Sequence, residues 1–147
     1  MKTQERIVWL SNYSVGNETL DRQHQKLLNL CNQAIDCMES DDLESRGNFH
    51  LILNDLVDYT EKHFSTEEAI LRHYGYPSLE AHRSEHMAYQ VKLTDFLLEA
   101  TLGNIDKSAL YHYLSEWWRE HILVSDMQYT LCIKGKLAAR TSGDSLF

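Results

Sequence analysis

One proline, Pro77, and six glycines among 147 residues leave little material for tight turns or helix breaks. A small β-sandwich, with its frequent turns, is hard to build from such a chain, so long helices are the default. Cysteine is scarce and odd in number: Cys31, Cys37 and Cys132 have no CxxC spacing and imply neither a disulfide framework nor a thiolate zinc site. Positive charge is short as well. Lys and Arg total 14 against 22 Asp and Glu, a formal net charge of −8 with no basic stripe, which argues against nucleic acid as a partner. No apolar run opens the chain in the manner of a signal peptide, and none approaches the ~20 residues needed to cross a bilayer. A cytoplasmic protein without a membrane partner is expected.

Apolar residues make up 43% of the chain and aromatics 10%, enough for a single core but little for two. A helical period runs through four segments, and in each of them histidine interrupts the apolar stripe in phase. Helix A, about 18–39, carries Leu20, His24, Leu27, Leu28, Cys31 and Ile35, with Asn17 as its predicted N-cap. Helix B, about 43–73, carries Phe49, Leu53, Leu56, Thr60, His63 and Glu67, and stops at Tyr74-Gly75-Tyr76-Pro77. Helix C, about 78–101, carries His82, His86, Tyr89, Leu93 and Phe96; helix D, about 106–131, carries Leu110, Leu114, Trp117 and His121.

Short connections make consecutive helices antiparallel neighbours, which predicts an all-α, up-down-up-down antiparallel four-helix bundle with an N-terminal arm. The expected division is one domain over 1–147: an arm at 1–17, the bundle at 18–131 and a polar tail at 132–147. In that topology the start of A, end of B, start of C and end of D share one end of the bundle. At ~1.5 Å per residue, His24, His63, Glu67, His82, His86 and His121 all fall ~9 to 12 Å below it, in one layer.

A buried polar group without a partner costs ~1 to 3 kcal/mol, and a bundle stabilised by only ~5 to 15 kcal/mol cannot carry five such imidazoles unpaired. Divalent transition metal satisfies them, since neutral imidazole and carboxylate are its ligands. The donors outnumber what one ion uses, so two ions are expected. Asp126 is the candidate second carboxylate. It stands five residues after His121, an interval that turns the two side chains ~140° apart on an α-helix. A π-bulge or loosened turn is therefore predicted between them.

LDRQH (20–24), HFSTEE (63–68), HRSEH (82–86) and HILVSD (121–126) together resemble the bacterial hemerythrins, in order and spacing, over about residues 9–131. The resemblance implies a non-haem di-iron centre, oxo- or hydroxo-bridged, that binds O2, with His24, His63, Glu67, His82, His86, His121 and Asp126 as its ligands. It places His82, His86 and His121 on a filled iron and His24 and His63 on one with an open position, Glu67 and Asp126 bridging both. It also implies an apolar pocket at the open iron, walled by Leu27, Phe64, Trp117, Trp118 and Ile122, where Trp118 replaces a leucine usual in the family. The competing class is a di-iron oxidase or ferroxidase, or an iron store; such sites use Glu and Glu-x-x-His sets, whereas five imidazoles and two carboxylates favour binding over enzymatic oxidation.

Asp21 and Gln23 are candidate hydrogen-bond partners for the ligand imidazoles, and Trp9 and Tyr13 candidate covers from the arm. His50, His73 and His112 fit no ligand position. The resemblance leaves two roles open, an oxygen-sensing input domain and an oxygen carrier. The apolar ending Leu146-Phe147 points to a chain that continues, with a C-terminal signalling domain as the possible partner.

Overall fold

The computed structural model describes residues 6–40 and 42–143. Among them the regular elements are helical: α1 is Glu18–Met38, α2 Leu43–His73, α3 Leu79–Thr101 and α4 Lys107–Trp117. From α4 the chain continues without a break through a π-helical segment, Trp118–Asp126, into α5, Met127–Gly143, so α4, the π segment and α5 together form the fourth helix of the bundle.

Local chemistry sets these boundaries. Asn17 Oδ1 accepts from the Leu20 amide at 3.0 Å, Asp42 Oδ1 from Ser45 at 2.7 Å and Asp106 Oδ1 from Ala109 at 2.9 Å. Each cap satisfies an amide that the first helical turn leaves unpaired, worth ~1 kcal/mol. At the far end of α2, Gly75 takes φ +66°, and the Tyr76 amide reaches back to the Leu71 carbonyl at 2.9 Å, closing a Schellman turn ahead of Pro77. Gly103, at φ +76°, ends α3 in the same way, with the Asn104 amide donating to the Glu99 carbonyl at 2.9 Å.

The core is divided. The larger part is built from Leu27, Leu28, Leu53, Leu56, Leu93 and Leu110 together with Phe64, Tyr89, Phe96 and Trp118. A smaller part contains Val15, Leu20, Leu71, Tyr129 and Ile133. Between them in the sequence of every helix stand the buried histidines and carboxylates, so the polar layer separates two apolar compartments.

Two expectations are corrected here. The fourth helix does not end near 131 but continues to Gly143, because Tyr129 and Ile133, one turn apart, still bury against Leu20 and Leu71. The expected tail at 132–147 is thus helical as far as it is described, while Leu146 and Phe147 lie outside the described residues. Asp21 reaches no imidazole; its carboxylate accepts from Ser14 Oγ at 2.5 Å and from the Val15 amide at 2.8 Å, fastening the arm to α1. Asn32 anchors the arm further up, through the Ile7 amide and carbonyl at 2.9 and 2.7 Å. Trp9 and Tyr13 cover the larger core, as expected.

Candidate metal centre

Four helices deliver seven polar side chains to one layer. α1 supplies His24, α2 His63 and Glu67, α3 His82 and His86, and the π segment His121 and Asp126. All seven are buried, Glu67 and Asp126 completely. The π segment covers the interval between His121 and Asp126, where its wider turn brings five-residue neighbours onto one face. The loosened turn predicted from that spacing is present.

The donors sort into two groups that share Glu67. Glu67, His82, His86, His121 and Asp126 converge in one; His24, His63 and Glu67 converge in the other. Every Nε2 faces a carboxylate. His82 lies 2.6 Å from Glu67 Oε1 and 2.9 Å from Asp126 Oδ1, His86 3.0 Å from Glu67 Oε1 and His121 3.2 Å from Asp126 Oδ1. On the other side His24 sits 3.3 Å from Glu67 Oε2 and 3.1 Å from Asp126 Oδ2, with His63 at 3.2 Å from Glu67 Oε2.

The outer nitrogens decide what occupies this space. His63 Nδ1 donates to Gln23 Oε1 and His86 Nδ1 to Glu68 Oε2, both at 2.8 Å. Those bonds place the imidazole proton on Nδ1 and leave a lone pair on Nε2. A neutral ring held this way points its lone pair at a carboxylate's lone pairs. Nε2 of His63 and His121 and both oxygens of Asp126 accordingly have no aligned hydrogen-bond partner, although all are buried. Cations between nitrogen and oxygen turn each of these repulsive contacts into two bonds, and the donor set of imidazole and carboxylate suits iron.

Without metal, protons take that place. Burial pulls the His24 pKa down, but the closely facing carboxylates of Asp126 and Glu67 outweigh it and raise it to about 9. Against the same burial penalty, His82 rises to about 10 through the same two carboxylates, and His121 to about 9 through Asp126, Glu85 and Glu67. His63 moves the other way, its burial lowering it. Glu67 and Asp126, despite burial, are held below the carboxylate range by the surrounding imidazoles.

Around the donors stand two motif residues that the motifs do not single out and one residue beyond them. Glu68, the second glutamate of HFSTEE, accepts from His86 and is itself held by Arg83 Nε at 3.1 Å. Glu85, inside HRSEH, has Oε2 2.8 Å from His121 Nδ1, at ion-pair distance though out of line for a hydrogen bond. Tyr129, fully buried on α5, donates its hydroxyl to Glu67 Oε2 at 3.0 Å. Its spacing of three from Asp126 was the available signal, but the π turn ahead of Asp126 takes Tyr129 off the stripe that runs through His121.

The sequence profile of the hemerythrin HHE cation binding domain matches residues 15–130. The chain belongs to the hemerythrin family. It is 30% identical over 133 residues to myohemerythrin-1 of Phascolopsis gouldii, covering 90% of this chain and 96% of that one. Bacteriohemerythrins of Stenotrophomonas maltophilia and Clostridium acetobutylicum are 27% and 28% identical, over 89% and 84% of this chain and 84% and 98% of theirs. A solved hemerythrin carrying a leucine-to-tyrosine substitution superposes with TM-score 0.78 at 23% identity, over 86% of this chain and 95% of its own, which supports the four-helix fold. As a hemerythrin, the protein is a di-iron, O2-binding protein.

Of the predicted pocket residues, Leu27, Phe64, Trp118 and Ile122 are buried in the larger core compartment. Trp118 meets His24 edge-on at 6.4 Å between ring centres. Phe64 spans both donor groups, 5.8 Å from the His63 ring and stacked on His86 at 3.7 Å. Trp117 is only partly buried and stacks on His121 at 4.6 Å, on the three-histidine side; it reaches the rest of the pocket through Phe64 at 5.7 Å. His50, His73 and His112 stay outside both groups.

Proposed function

We propose that His82, His86 and His121 hold one iron and His24 and His63 the other, with Glu67 and Asp126 between them, in a single hemerythrin-like domain that binds O2 reversibly. The observation that carries this reading is the inequality of the two groups: five convergent donors on one side, three on the other, with Glu67 in both. The poorer side is where an exogenous ligand finds room. When bound, the iron pair supplies the electrons that O2 takes up and gives back.

The chain's own residues then have defined tasks. Gln23 and Glu68 fix the rings of His63 and His86 by taking their Nδ1 protons in hydrogen bonds, and Arg83 holds Glu68 for that purpose. Tyr129 orients Glu67 by donating to Oε2. Leu27, Phe64, Trp118 and Ile122 exclude water from the two-histidine side, which keeps protons from the bound ligand and favours release over reaction. Such a pocket, with a shell of five imidazoles and two carboxylates, supports binding rather than enzymatic turnover.

Two iron atoms per chain are expected by elemental analysis, with a visible charge-transfer band that appears with O2 and vanishes on its removal. His24→Ala should abolish that band while His112→Ala preserves it; a band lost through His112 or retained without His24 sinks the assignment. In the cell we place the protein in the cytoplasm, as an oxygen-sensing input domain or an oxygen carrier. The sensing role is supported by the continuity of the π segment with α5, which leads toward a possible C-terminal signalling partner. Hydrogen-exchange protection of residues 127–143 should then differ between the reduced and O2-bound forms, and equal protection leaves the carrier.

A further inference from the structure

A run of aromatic rings leaves the two-histidine side of the centre. His24 meets Trp118 at 6.4 Å between ring centres, Trp118 meets Trp9 at 6.4 Å, and Trp9 meets Tyr13 at 5.7 Å, each pair edge to face. Trp118 is buried, whereas Trp9 and Tyr13 are partly exposed on the arm. Aromatic pairs at such separations are in van der Waals contact. Electron transfer falls off exponentially with the gap to be crossed, so several short steps between touching rings outrun one long one. The indole nitrogen of Trp118 adds a second observation: it is buried and has no hydrogen-bond partner. A core indole normally finds one. An indole that has lost an electron becomes acidic at that nitrogen, and with no hydrogen-bond acceptor in place there the proton is not handed on directly and the positive charge remains free to move on.

We propose that Trp118, Trp9 and Tyr13 form an exit path by which oxidising equivalents leave the buried centre for the surface when the iron-loaded protein meets hydrogen peroxide. This rests on the di-iron reading above. Trp118 gives one electron to the oxidised site and becomes a radical cation; Trp9 refills Trp118, and Tyr13 refills Trp9. Tyr13 loses its phenolic proton to solvent with that electron and is left as a neutral radical. A soluble one-electron reductant of the thiol or ascorbate class restores the electron, and solvent the proton. Two such passes, with two protons from solvent, reduce one peroxide to two waters. The imidazole and carboxylate ligands are spared. A second run, His121 to Trp117 to Tyr89 to Tyr113, starts on the three-histidine side and passes through the fully enclosed phenol of Tyr89, which has no route to shed a proton.

The test uses the full chain in two states. With iron loaded and its content measured in every variant, peroxide followed by freeze-quench electron paramagnetic resonance should give a tyrosyl signal. That signal should fall several-fold in Tyr13→Phe and in Trp9→Phe, and in Trp118→Leu oxidation detected by mass spectrometry should shift from Trp9 to His24. Metal-free protein carries the same rings, so flash photo-ionisation of tryptophan reads the path without iron: the indole radical should convert to a tyrosyl radical several-fold more slowly in Tyr13→Phe. An undiminished signal in Tyr13→Phe with iron in place, or a signal that follows Tyr113→Phe instead, overturns the path. Absence of iron from the wild-type protein would refute the di-iron reading, and the photo-ionisation result would still decide the path by itself.

Discussion

At the residue level, the candidate ligands are oriented by groups that lie outside the two donor clusters. Tyr129 is the clearest, a buried hydroxyl whose acceptor is a buried carboxylate oxygen. Hydrogen bonds to charged groups contribute ~1.5 to 3 kcal/mol, so Tyr129→Phe is expected to lower the stability of the metal-free protein by about that amount, read from denaturant unfolding. Protonation supplies a second expectation. His24, His82 and His121 have folded pKa values of about 9, 10 and 9, above the ordinary 6.5, so their contribution to stability is complete below ~6.5 and is lost as pH rises through 9 to 10. Glu67 and Asp126, held low, contribute above the usual carboxylate range and lose it only as pH falls through their depressed values. Calorimetry of metal-free protein should therefore show the melting temperature falling between about pH 6.5 and 10. Iron-loaded protein should not show that fall, because metal binding requires the imidazoles to be neutral.

At the level of elements, most of the architecture is legible in the sequence, and the exceptions share a cause. The caps Asn17 and Gly75 mark boundaries through local chemistry that acts wherever those residues stand, so α1 and α2 are readable without tertiary information. His24, His63, His82 and His86 interrupt regular stripes and can be found by phase alone. The π segment breaks phase, and everything after it is harder to read: Tyr129 and Ile133 belong to the bundle but no longer fall on the stripe that ends at His121. The role of Asp21 was obscured because its partners sit in the arm, whose path no periodicity predicts. Removing the extra residue tests this account. Deletion of Val124, half exposed on the π segment, should let that turn close to α geometry with Tyr129 and Ile133 still on the core, so the melting temperature and the far-ultraviolet helical signal should change little; a fall of many degrees would count against it.

At the scale of the whole molecule, the polar layer lies between two apolar compartments of unequal size, and the N-terminal arm closes the larger one while α5 closes the smaller. Iron held by this layer would join α1, α2, α3 and the fourth helix near one end of the bundle, and metal loading should raise the unfolding temperature as any ligand specific to the native state does. The wide turn within the fourth helix has a mechanical consequence. A π turn accommodates one residue more than an α turn over the same span, so α5 stands one step out of phase with the helix that precedes it. Gaining or losing that step amounts to about 100° of rotation and 1.5 Å of travel for every residue downstream. The fourth helix thus carries its slack between His121 and Asp126, two members of the polar layer, and closing that turn would rotate α5 as a unit.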